Sequence, residues 1–159
     1  MNKLIPLMIS GVLAVGVVGC EPPSRTSTDA PANTTENANT PTKETAEKSQ
    51  ADATSETRKD QIESDIRSRE QRNNVTGGDA DRADADLESE VRGKLEVNLP
   101  ASQLTVDATQ GAVTVTGTVP TQEQLNKIPT LAKEIKGVKS VKNDVKVAPA
   151  QSTPTAKPQ

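Results

Sequence analysis

One stretch constrains the fold more than any other: residues 111–147 read strand, helix, strand within 37 positions. It opens Gly111-Ala112-Val113-Thr114-Val115-Thr116-Gly117-Thr118-Val119 and closes Gly137-Val138-Lys139-Ser140-Val141-Lys142-Asn143-Asp144-Val145-Lys146-Val147. Both ends alternate apolar and polar residues, the pattern of strands with one buried face. Between them Leu125, Ile128, Ala132 and Ile135 recur at helical spacing. This is the nucleus of a small α/β module.

The residues just upstream complete it. A helix is expected over about 85–98, with Leu87, Val91, Leu95 and Leu99 in one stripe, stopped because Pro100 disfavours helical geometry at Leu99. Asp84 reads as its N-cap, with Asp86 and Glu88 complementing the positive helix end. A strand over 103–108 turns Leu104, Val106 and Ala108 inward, and 109–111 form a turn. The next strand, 112–119, points Val113, Val115, Gly117 and Val119 inward and Thr114, Thr116 and Thr118 outward. Gly117 is expected to let a helix approach closely.

Thr121 and Gln124 form a capping box for the second helix. Pro129 predicts a kink or a broken first half near 125–129, and Gly137 marks the end. The last strand, 140–147, turns Val141, Val145 and Val147 inward and should run parallel to its neighbour. A Thr-rich open face places both helices on the Val face. The expected fold is α+β: an αββαβ module at 84–148, a three-stranded mixed sheet with two helices on one face, and the remainder disordered.

The chain has no Phe, Tyr, Trp or His and a single Cys. Its core must be aliphatic, and no aromatic platform exists for stacking bases or sugars. The usual zinc-ligand sets and the Ser/His/Asp and Cys/His catalytic sets are absent, as is any disulfide within one chain. A net charge of −3 suggests no nucleic-acid partner. No catalytic residue, metal or cofactor is expected. Carboxylates such as Asp107 and Glu123 show no spacing that predicts a paired site. The acidic run 79–88 fails as an EF-hand loop in both possible registers.

From Glu21 to Arg82 the only Ile, Leu, Val or Met residues are Ile62, Ile66 and Val75. Such a segment buries too little surface to offset its ordering entropy, so residues 20–83 are expected to form a disordered tether spanning roughly 45 Å as a flexible coil. Within it, 56–72 lacks Pro and Gly and reads as a transient helix, either merely solvated or binding a partner. The tail 149–159, with Pro149, Pro154 and Pro158, is also expected to be disordered.

Residues 1–19 read as a leader: a positive start at Lys3 and an apolar run from Leu4 to Val18, short for a membrane span and broken by Pro6, Gly11 and Gly16. Its end, Val17-Val18-Gly19-Cys20, resembles the lipobox of bacterial lipoproteins. That resemblance implies export, a diacylglycerol thioether on Cys20, cleavage before it and N-acylation with a fatty chain such as palmitate. The alternatives are an ordinary signal peptide with an incidental cysteine, or an uncleaved anchor. Two or more acyl chains anchor a protein stably without spanning. Glu21, in place of the aspartate linked to inner-membrane retention, favours the outer membrane.

The αββαβ order, the Gly111-x-Val113-x-Val115-x-Gly117-x-Val119 run and Gly137-Val138-x-x-Val141-x-Asn143-x-Val145 together resemble a BON domain, over about 84–147. The resemblance implies a periplasmic, cell-envelope protein whose domain binds phospholipid or supports envelope integrity and stress tolerance. Charge within the module is polarised: residues 84–123 carry −5 and residues 124–148 carry +4. Lys136, Lys139 and Lys142 are the lysines expected to converge, as candidate contacts for anionic lipid head groups. Helix-dipole complementation and edge-strand protection are the structural alternatives for these residues. A rival function is an adaptor binding another envelope protein or peptidoglycan through the exposed Thr face, Thr114 and Thr116.

Overall fold

The computed structural model describes residues 23–76, 78 and 82–151. The leader, Cys20 and residues 152–159 of the tail lie outside the described residues. The elements run β1 (Ser24–Arg25), α1 (Lys43–Thr54), α2 (Glu56–Thr76), α3 (Asp84–Asn98), β2 (Gln103–Thr109), β3 (Ala112–Val119), α4 (Gln122–Lys133) and β4 (Ser140–Val147).

The class is α+β, and α3-β2-β3-α4-β4 reproduces the expected αββαβ order. β2 and β3 pair antiparallel and β3 and β4 pair parallel, with Val113 opposite Val141 and Val119 opposite Val147. β1 adds a fourth, two-residue strand antiparallel on the outer edge of β2, giving the order β1-β2-β3-β4. The β2–β3 hairpin closes through Gln110 (φ 53) and Gly111 (φ 84). Two successive positive φ values make this a type I′ turn, whose twist matches that of the flanking strands.

The core is the predicted aliphatic set. Leu87, Val91, Leu95 and Leu99 of the α3 stripe pack with Leu104, Val106, Val113, Val115, Val119, Ile128 and Ala132, all at or below 1% exposure. Each such Leu, Ile or Val contributes about 1.5–3 kcal/mol through burial. Val145 joins them, whereas Val147 at the strand end stays 38% exposed, against expectation.

Several local expectations are corrected. Asp84 lies inside α3; the N-cap is Ala83, which makes no side-chain cap bond. Asp86 and Glu88 do more than complement the helix end: Asp86 receives Arg69, and Glu88 accepts from the Ala108 amide at 3.1 Å. Thr121 caps α4 by accepting from Gln124 N, but the Gln124 side chain donates to Pro100 O and leaves the reciprocal half of the box unmade. α4 runs unbroken through Pro129 and ends at Lys133, ahead of a turn through Gly137. Gly117 serves the sheet: at φ +126 a Cβ there would lie 1.9 Å from Gln103 O, so the close approach is to β2 and not to a helix.

The largest difference concerns the segment read as a tether. α1 and α2 are formed, Ala30, Ala46, Ala53 and Ile62 are buried, and the arm wraps the module. The predicted helix at 56–72 is real, extends to Thr76 and is docked. Ile62 finds its pocket at Gly93 of α3 and the flanking charges find partners there, contacts remote in sequence. The start of the tail is also paired, since Lys43 N donates to Gln151 O at 2.9 Å.

Candidate functional site

The arm changes the second face of the sheet. Leu104 N donates to Thr26 Oγ1 at 2.9 Å, the Thr105 hydroxyl donates to Pro31 O, and Gln103 Nε2 donates to Ser49 Oγ at 2.9 Å. Thr116 and Thr118, expected to be solvated, are 4% and 2% exposed. Thr114 is half-buried. An open Thr face is therefore not what this fold offers a partner.

The exposed cationic end lies elsewhere, where the hairpin tip meets the chain between α4 and β4. Lys139 N donates to Gly111 O at 2.8 Å, and a Cβ on Gly111 would lie 2.8 Å from Gly137 O. Only a glycine tip allows that approach. Beside it opens a cleft of about 420 Å³, lined by Arg82, Asp84, Leu87, Gln110, Gly137 and Lys139 among others.

Arg82 forms one wall and had no signal in the sequence, being the last base of a polar run. Its side chain is 1% exposed and pairs with Glu90 of α3, equally buried, while Nη1 donates to Lys136 O at 2.7 Å. Its stem crosses Gly137 (φ +92), where a Cβ would lie 2.7 Å from Arg82 Cδ. Arg82 therefore ties the entry to α3 to the turn that leads into β4. Burial pushes the Glu90 carboxyl up to about 7, opposed by the charge and hydrogen bond of Arg82 and reinforced by Glu70 and Asp86.

The predicted lysines divide. Lys136 and Lys139 are exposed on either side of Gly137. The Lys139 ammonium donates to Gln110 O at 3.1 Å, holding it at the cleft rim. Lys142 is exposed on β4 opposite Thr114, and its Nζ lies 2.6 Å from Asp144 Oδ2, so its charge is locally compensated. The site is thus Lys139 on a glycine-bracketed cleft, with Lys136 on the other side of Gly137 and Lys142 set apart on the sheet. The uncapped first turn of α3 adds a positive helix end, and Asp84 on the lining opposes it.

Among the described residues no group of three His, Cys, Asp or Glu side chains is placed to hold a metal ion. No described helix is long and apolar enough to cross a membrane.

Residues 83–149 match the family model of the BON domain, so the chain carries a BON domain across the module just described. Osmotically-inducible protein Y of Escherichia coli (strain K12) is 42% identical over 60 residues, covering 36% of this chain and 30% of that protein. The chain thus matches under a third of the length of this curated relative. No solved structure matches it significantly.

Proposed function

We propose that the BON domain carried by this chain is a non-catalytic module of the bacterial cell envelope, held to a membrane through lipidated Cys20, which meets anionic phospholipid head groups with Lys136 and Lys139. The observation that carries the reading is the pair of exposed lysines flanking Gly137, of which Lys139 lines the cleft. A near-surface lysine contributes on the order of 1 kcal/mol towards an anionic bilayer. The lipobox-like Val17-Val18-Gly19-Cys20 supports the anchor, and similarity to an osmotically-inducible protein supports a part in stress tolerance.

Vesicle flotation tests the head-group contact, using the chain from residue 20 onward with Cys20→Ser so that no lipid anchors it. Binding should rise with the anionic lipid fraction, fall with salt, and weaken about tenfold or more in Lys136→Glu/Lys139→Glu. Binding indifferent to both lipid charge and salt would overturn it. Mass spectrometry of the mature N-terminus tests the anchor independently.

A further inference from the structure

α2 lies along the outer side of α3 in an antiparallel register. Arg58 meets Glu96 through bonds of 2.6 and 3.1 Å, Asp65 meets Ser89 at 3.1 Å, and Arg69 meets Asp86 at 2.5 Å. Between them Ile62 sits on Gly93, where a Cβ would lie 2.8 Å from Ile62 Cγ2, with Ile66 beside it. The α3 face is thus a notch at Gly93 between two carboxylates, Asp86 and Glu96. The α2 face is a branched aliphatic residue between arginines four positions before and seven after.

Arg72 adds a further ion pair to Asp86 at 3.1 Å, and Asn73 is buried. Val75, the remaining large apolar residue of α2, is 87% exposed. A helix of 21 residues with so small an apolar face is marginal alone, and its partly buried ion pairs to Glu96 and Asp86 are weakened, though not abolished, by salt. Seven residues join α2 to α3, and among them Gly78, at φ +78, has open space around it.

We propose that the outer face of α3 is a docking site for a helix that presents an isoleucine between arginines, filled by α2 of its own chain and, by exchange of the arm, by α2 of a second copy. Only Ser55 separates α1 from α2, so the arm from β1 to α2 exchanges as one; its contacts are then the same in either arrangement, and chain density sets the balance. A helix on a short connection competes at an effective concentration in the millimolar range. Exchange therefore appears at comparable density, and salt accelerates it by loosening Arg58–Glu96 and Arg69–Asp86.

Thiol trapping in full chains carrying Cys20→Ser tests this. A chain with both Asp65→Cys and Ser89→Cys should close a disulfide within itself when dilute. Two populations, one with Asp65→Cys and the other with Ser89→Cys, are mixed, given a pulse of about 1 M salt, returned to low salt and oxidised. Adducts between unlike chains should rise several-fold between about 20 μM and 1 mM protein, and more after the pulse than without it. Failure of the double variant to close would show that α2 does not occupy α3. Absence of unlike-chain adducts at the highest density would show that the site admits only its own arm. Either result overturns the proposal.

Discussion

Asn143 stands in for a missing helical bond at Leu125: its Nδ2 donates to the Leu125 carbonyl at 3.4 Å. Pro129, four residues on and inside α4, has no amide to offer that carbonyl. Helix and parallel strand are thereby joined at the proline position. Asn143→Ala should cost about 0.5–1.5 kcal/mol in urea unfolding. In a Pro129→Ala background the carbonyl regains an amide, and the cost of Asn143→Ala should shrink. A double-mutant cycle without coupling would show the bond to be idle.

Gly117 admits no side chain. Its φ of +126 and the 1.9 Å approach of Gln103 O to a Cβ there put both conformation and space against alanine. Gly117→Ala should destabilise the domain by about 3 kcal/mol or more, read as loss of the cooperative thermal transition.

Ala101 presents the opposite case. It follows Pro100 in the turn between α3 and β2, at φ 65, with Ser102 N donating to Leu99 O at 3.2 Å. A positive φ at the third position of a type II turn suits glycine. Ala101→Gly should be neutral to stabilising by about 0.5–1 kcal/mol, since relief of strain is partly offset by the freer unfolded chain. A drop in Tm would contradict this account of the turn.

Glu90 makes stability depend on pH in an unusual direction. The folded carboxyl, at about 7, binds its proton more tightly than the unfolded one near 4.5. Its contribution is fully present below the unfolded value and is lost as pH rises through the folded one. Stability should therefore fall by on the order of 3 kcal/mol between pH 4.5 and 7 from this group. Glu90→Gln removes the titrating carboxyl and keeps a side-chain oxygen to accept from Arg82. The decisive measurement is the slope, which should flatten in that variant.

The module was legible in the sequence because its signals are local. Val113, Val115 and Val119 alternate, Leu87, Val91 and Leu95 recur at helical spacing, and Thr121 announces α4. The arm was not legible, because its hold on the module lies in pairs distant along the chain. Ile62 is visible as one of two isoleucines, but its receptor is a glycine 31 positions later, in the middle of a helix where glycine ordinarily only weakens. Arg82 and Glu90 are eight residues apart, a spacing that predicts no contact. Of the candidate site, Lys136 and Lys139 could be placed from their flanking of Gly137. The cleft beside them could not, because Gly111 and Arg82 approach that glycine only in the folded chain.

The bond from Lys139 N to Gly111 O engages the parallel strand at its threshold. A parallel neighbour has no tight turn of its own to set its alignment, and slippage by one position would invert every side chain it carries. Lys142, Asp144 and Lys146 would then be driven against α4, and Val141 and Val145 turned away from it. The rim of the cleft is thus also the ratchet that stops β4 from sliding, and a ligand seated there would press on the alignment of the whole sheet.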